Sequence, residues 1–278
     1  MHAAPATAGL QIQQGLASAY EMLRIFFTDL LPANLTCMLP NALSWAYRMQ
    51  WTGSISSLTF QTTAGKTAHL FSHSNLVPRA DGTVPAVLLL HGDHAHPFSM
   101  LHLGDIAEAK GRAVFSVSLP YDDLDPASHH ALLQKSIRKI EKMIIAKGGT
   151  LSDLVLAGHS RGALEAANEA YVVKNPKIGS VVAIAGRFEV IEPSQMPCRE
   201  SLKPSVNAVW ERVHDTSQKL AVPFNQIAAM RDWCIDPEAS IVRWDHNYRT
   251  VDAGHLGVIY HPDTLNQFRE WVAVPANA

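Results

Sequence analysis

Near-continuous apolar runs recur along the chain at Val84 to Leu90, Ala113 to Leu119, Leu154 to Ala157, Ile178 to Ala185, Phe224 to Met230 and Ile241 to Val251. Strands apolar on both faces are covered on both sides, so these runs predict the interior of a mostly parallel sheet. Ahead of them the pattern alternates. Leu58-Thr59-Phe60-Gln61-Thr62 and Thr67-Ala68-His69-Leu70-Phe71 flank Ala64-Gly65-Lys66, which predicts an antiparallel hairpin at the sheet edge. Elsewhere the period lengthens to that of a helix. After Pro126, Leu132, Leu133, Ile137, Ile140 and Ile144 form one stripe that Gly148-Gly149 ends; after Pro262, Leu265, Phe268 and Val272 form another, stopped before Pro275. Strands alternating with helices predict βαβ units with right-handed crossovers, an α/β doubly wound sheet with helices on both faces.

The first part of the chain reads differently. Residues 1 to 8 are unpatterned, and then Leu16, Tyr20, Leu23, Phe27, Leu30 and Leu31 recur at helical spacing until Pro32, with a second apolar segment from Leu39 to Trp51. No lysine-rich face accompanies the apolar one, which argues against a helix lying on a membrane. We expect residues 1–56 to be a helical extension packed on the body, also offering a surface for a homo-oligomer, and residues 57–278 to be the domain that carries the sheet.

Composition narrows the classes. With 278 residues, 47% hydrophobic and 17% charged, the chain is neither disordered, collagenous nor a coiled coil. Its net charge of −2, without a run of basic residues, gives no footprint for nucleic acid. Cys37, Cys198 and Cys234 are odd in number and far apart, which suggests neither a disulfide framework nor a zinc site, and a reducing compartment follows. The start lacks the basic and apolar regions of a secretory signal, so a cytoplasmic location is expected. Met22 to Leu39 is interrupted by Arg24, Asp29, Pro32 and Asn34, whereas a membrane-spanning helix needs about 20 nearly unbroken apolar residues.

The segment that carries chemistry is Leu154-Val155-Leu156-Ala157-Gly158-His159-Ser160-Arg161-Gly162-Ala163-Leu164: an apolar strand ending in Gly-x-Ser-x-Gly and running into a helix. Such a turn presses strand and helix backbones together, so the positions of Gly158 and Gly162 must lack side chains, and Ser160 stands exposed at the sheet's carboxyl edge. A serine hydroxyl needs a base. His255, in Ala253-Gly254-His255-Leu256-Gly257 beyond the last strand, suits that role better than His246 or His261. The imidazole needs a carboxylate between serine and histidine in the sequence. Asp232, closing the run Phe224 to Met230, is the first candidate, Asp236 the second, and Glu189 a distant third.

Negative charge developing on a carbonyl oxygen needs two backbone donors. The Arg161 N–H is one, and the Asp93 N–H in His91-Gly92-Asp93-His94-Ala95-His96 is the candidate for the other, with Gly92 allowing a close backbone approach. The Asp93 carboxylate would have to turn away or pair with His94 or His96. Together with His102 these histidines raise a metal site, but their spacing is irregular and no Cys or Glu completes it; we expect no metal and no cofactor, with His91 bracing the loop.

His91-Gly92 after a buried strand, the elbow Gly158-His159-Ser160-Arg161-Gly162, and Asp232 and His255 in that order resemble the α/β-hydrolase superfamily over about residues 57 to 275. The elbow is similar to that of chlorophyllases and of esterases related to polyester hydrolases, except that Ala163 stands where those often have a third glycine. The resemblance implies the α/β-hydrolase fold with an eight-stranded sheet and at most a small lid between Gly186 and Ala221. It further implies a serine hydrolase acting on a small-molecule or polymeric carboxylic ester, with Phe98, Trp210 and Trp233 as apolar walls. Thioesterase, amidase or peptidase chemistry uses the same residues, and a catalytically silent fold that binds a ligand or partner is the alternative of another class.

Overall fold

A computed structural model of the chain describes residues 56–61, 67–74, 76–93, 95, 97–119, 126–173, 175–189, 222–242 and 247–274. The expected N-terminal helices, the hairpin turn at Ala64-Gly65-Lys66, His94, His96, His246, Trp210 and nearly all of the expected lid lie outside these residues. Eight strands form one sheet: β1 (Ser56–Gln61), β2 (Thr67–Ser72), β3 (Thr83–Leu90), β4 (Ala113–Ser118), β5 (Thr150–His159), β6 (Ile178–Ile184), β7 (Phe224–Ala229) and β8 (Tyr248–Val251). Their spatial order is β1-β2-β4-β3-β5-β6-β7-β8. The β1–β2 and β2–β4 pairs are antiparallel and every other pair is parallel, so the alternating segment forms the edge hairpin and the apolar runs form the interior.

Among the described residues, four α-helices cover the sheet: α1 (Leu101–Ala109), α2 (Pro126–Ile145), α3 (Arg161–Val173) and α4 (Pro262–Trp271). The strand period of two divides β3 between two cores. Leu88 and Leu90 share one with Leu133, Ile137 and Ile140 of α2 and Ala163 and Ala167 of α3; Val87 and Leu89 share the other with Leu103 and Ala107 of α1 and Phe268 of α4. Phe98 belongs to this second core, 2% exposed and edge-on to Phe71 at 4.9 Å, and so is not a cleft wall. At the amino end of the parallel strands, buried Arg112 ties three elements together. Its guanidinium donates to the Asp153 carboxylate (2.7 Å), the Val272 carbonyl (2.6 Å) and the Ala86 carbonyl (3.3 Å), so the buried charge is fully partnered.

Two elements depart from the sequence expectation. Helix α1 has only nine residues and no clear stripe, yet it forms because Leu101, Leu103, Gly104 and Ala107 bury a face; a Cβ at Gly104 would lie 2.8 Å from Val114 Cγ1. The run Ile241 to Val251 is not one strand. Of its described residues, Tyr248–Val251 pair with β7, while Val242 is held by a side chain: its N–H donates to Gln226 Oε1 (2.7 Å) and its carbonyl accepts from Gln226 Nε2 (3.2 Å). A buried amide in β7 thus satisfies the backbone that a ladder would otherwise have to satisfy. No helix among the described residues is long and apolar enough to cross a membrane.

Candidate active site

Strand β5 lies in the middle of the sheet, and its last residue hands over directly to Ser160 and α3. Ser160 has φ 54°, a left-handed conformation that non-glycine residues rarely adopt and that marks a strained strand-to-helix turn. The turn is held by the Ser160 N–H donating to the Ile184 carbonyl (2.9 Å) and the Ala163 N–H to the Ser160 carbonyl (3.1 Å). Both elbow glycines are sterically required. A Cβ on Gly158 would overlap the Gly162 carbonyl, and one on Gly162 would overlap the carbonyl of Leu90 at the end of β3. Ala163, by contrast, is accommodated because Gly186 faces it: a Cβ there would lie 2.7 Å from Ala163 Cβ.

His255 arrives on the loop after β8, and its Nε2 lies 2.9 Å from Ser160 Oγ. On its other side Nδ1 donates to Asp232 Oδ2 at 2.6 Å. The Asp232 carboxylate is fully buried, and its Oδ1 accepts from the N–H groups of Cys234 (2.8 Å) and Ile235 (3.0 Å), a local turn that fixes the carboxylate before it meets the histidine. Asp236 does something else: its Oδ1 caps the short turn Pro237–Ser240 by accepting from the Glu238 N–H (3.0 Å). Glu189 is exposed after β6. His261 Nδ1 accepts from the Asp263 N–H (3.2 Å) at the start of α4, a capping role away from Ser160.

The loop after β3 lies against the elbow. A Cβ on Gly92 would come within 3.1 Å of both Ser160 Cβ and His159 Nδ1, so the Gly92 backbone packs closely against the elbow, where a side chain would make its neighbours give way. His91 braces this loop: Nδ1 donates to the Gly92 carbonyl (2.7 Å) and Nε2 accepts from the Leu119 N–H (3.2 Å). His102 is engaged elsewhere, donating to the Ile259 carbonyl and stacking on Tyr260 at 4.3 Å. Arg161 opens α3, whose first N–H groups have no carbonyl within the helix to receive them.

Three features were not legible beforehand. The Arg161 side chain turns into the protein, with Nε 3.8 Å from Glu165 Oε1 and Nη2 3.4 Å from His129 Nδ1, while His129 Nδ1 lies 2.9 Å from Glu165 Oε1. The spacing Arg161, Glu165, Glu169 along one face of α3 was the available signal, but it reads equally as a solvated face. His159, the residue before the serine, is buried and donates to the main chain of His255, a contact no spacing could reveal. The two amides that clamp Asp232 depend on a local turn that could not be read from residue types alone.

No protein-family model matches the sequence, and no curated protein matches it. Solved structures do. The 2,6-dihydroxy-pseudo-oxynicotine hydrolase superposes with a TM-score of 0.63 at 14% identity, over 95% of this chain and 81% of that one. A thermophilic esterase from the Planctomycetes species Thermogutta terrifontis gives 0.61 at 14% identity, over 81% and 94% of the two chains. The carboxylesterase CesB from Bacillus subtilis gives 0.57 at 14% identity, over 88% and 99%. The chain has the α/β-hydrolase fold. At such identities the α/β-hydrolase likeness concerns the path of the backbone, and the chemistry rests on this chain's own residues.

Proposed function

We propose that this α/β-hydrolase chain is a serine hydrolase of carboxylic esters, with residues 57–278 as its catalytic domain. The observation that carries the reading is the continuous line from Ser160 Oγ through His255 (2.9 Å) to the buried Asp232 carboxylate (2.6 Å). His255 Nε2 takes the Ser160 proton as Oγ attacks the ester carbonyl. The Arg161 and Asp93 N–H groups receive the oxyanion, and the alcohol leaves with the proton that His255 returns. A water then gives its proton to His255 and attacks the acyl-enzyme, and collapse frees the acid and restores Ser160. Asp232 holds the Nδ1–H tautomer and stabilises the imidazolium throughout. The esters, small-molecule or polymeric, are placed ahead of thioesters and amides because several structural neighbours are esterases.

The test is release of p-nitrophenol from acyl esters of graded chain length by the wild type and Ser160→Ala. We expect turnover with a chain-length optimum, reduced by on the order of 10⁵-fold or more in Ser160→Ala. Turnover that survives the substitution would sink the reading. Absence of both turnover and fluorophosphonate labelling would favour a silent binding fold.

A further inference from the structure

The base in this site comes from an unfavourable place. His255 sits beyond β8, an edge strand of four residues of which Tyr248, Arg249 and Thr250 are exposed, whereas Ser160 follows β5, with β6 and β7 between them. A general base that must hold its Nε2 within hydrogen-bond reach of the serine cannot depend on so lightly anchored a strand alone.

One side chain bridges that separation. His159, the last residue of β5, donates from Nε2 to the main-chain carbonyl of His255 at 2.8 Å. The two imidazole rings lie 4.9 Å apart, centre to centre, at 43°, and the His159 ring is buried. Consecutive residues of the elbow therefore grip His255 twice: Ser160 meets its ring and His159 its backbone, closing a ring of contacts between the central strand and the edge loop. Other bonds tie the loop to the segment after β7, through Arg231 N–H to the Ala253 carbonyl (3.0 Å) and Asp232 to the His255 ring, and its far end to α1, through His102 to the Ile259 carbonyl; the His159 bond comes from the strand that carries the serine.

We propose that His159 is a positioning residue that sets the distance between His255 and Ser160 through its Nε2–H bond to the His255 carbonyl. The inference rests on the serine-hydrolase reading of the site. Burial, and then the neighbouring His255, push the His159 imidazole down to about 3, so it stays a neutral donor and adds no positive charge beside the imidazolium that His255 becomes during turnover.

The experiment measures, on the full chain, the second-order rate constant and final stoichiometry with which a fluorophosphonate labels Ser160, displacing fluoride. Wild type, Ser160→Ala, His159→Leu, His159→Asn and His159→Gln are compared. A glutamine amide reaches the position of Nε2 and an asparagine amide does not. We expect His159→Leu and His159→Asn to label about 10- to 100-fold more slowly per reactive site, and His159→Gln to recover to within about threefold of wild type. A purely structural role would lower the stoichiometry and leave the rate per reactive site unchanged. If His159→Leu does not fold, the Gln and Asn variants decide between themselves. Equal rates in those two, or wild-type rates in all, overturn the inference and leave the reading of the site standing. A wild type that does not label overturns the reading, and the inference with it.

Discussion

Ser160 holds a left-handed backbone at a half-buried position, and the residues around it are arranged so that this strain persists. The partner that most sharply separates the candidate acids is the histidine itself: Asp232 Oδ2 receives the His255 Nδ1–H, whereas Asp236 caps a neighbouring turn. Replacing Asp232 by Asn would retain the shape and present an amide that disfavours the Nδ1–H tautomer. We therefore expect Asp232→Asn to lower kcat by about 10⁴-fold with little change in thermal stability, and Asp236→Asn to leave kcat within about threefold of wild type. Steady-state kinetics on a p-nitrophenyl ester, paired with thermal melts, checks both. At this scale the meeting of Ser160, His255 and Asp232 was readable, because the proposed nucleophile, base and acid would come from few residue types in a fixed chain order. What could not be read was His159, since its partner is a main-chain carbonyl 96 residues away and carbonyls leave no trace in residue identity.

At the scale of elements, the elbow is a packing problem between β5, α3, β3 and β6. Gly158 was legible as a requirement because the Gly162 carbonyl it abuts lies within the same short motif, and Gly162 was legible as the motif's other end although the carbonyl it abuts belongs to Leu90 of β3. Gly186 was not, because the methyl it accommodates belongs to Ala163 on another element. This pair predicts a compensation. Gly186→Ala should destabilise the fold by about 1–3 kcal/mol through overpacking, and Ala163→Gly should relieve part of that loss when combined with it. The relief is partial, because the new methyl would still lie 2.9 Å from Phe188 Cζ. Denaturant unfolding of the two single variants and the double variant measures the coupling; strictly additive losses would count against the contact. Helix α1 and the shortened β8 escaped the sequence pattern for related reasons. Nine residues with no clear stripe do not announce a helix, and the Gln226 clamp takes the backbone of Val242, a residue suited to a strand, out of the ladder.

Over the whole molecule, buried titratable groups set how stability follows pH. Burial pushes His73 down to about 3 and His102 to about 4, and burial together with His255 takes His159 to about 3, against an ordinary 6.5. Below about 6.5 the unfolded chain binds protons that the folded chain refuses, so stability falls as pH drops from there. Glu169 acts in the other direction. Burial first, and then the Glu165 charge, push its carboxyl up to about 8 against the opposing pull of Arg138, and its Oε2 lies 2.8 Å from His130 Nδ1. Between the ordinary 4.5 and about 8 the folded chain retains a proton that the unfolded chain loses, so this group makes stability fall as pH rises. From 4.5 to 6.5 the three histidines outweigh the single glutamate, and above 6.5 the glutamate acts without them. Thermal melts across pH 4 to 9 should therefore peak near about 6.5. Glu169→Gln should flatten the fall between 6.5 and 8 and steepen the rise between 4.5 and 6.5, where the histidines then act unopposed; an unchanged alkaline slope would refute the assignment.

The sequence by itself determined whatever depends on local chemistry repeated along the chain. Apolar runs needed two covered faces and so specified interior strands; Pro126 and Pro262 opened helices; Gly158, Ser160 and Gly162 could be read together because a tight turn makes its demands within five residues. Tertiary structure decided what depends on distance across the fold. It brought His255 from beyond an edge strand to Ser160 after a central one, set Asp232 rather than Asp236 against that histidine, placed Phe98 in the core, and turned Arg161 inward onto Glu165. The physical reason is the same in each case. Local steric and hydrophobic requirements are written in residue type and spacing, whereas a hydrogen bond between distant segments depends on where the packed sheet sets them down, and the same residues would serve equally well in several other places.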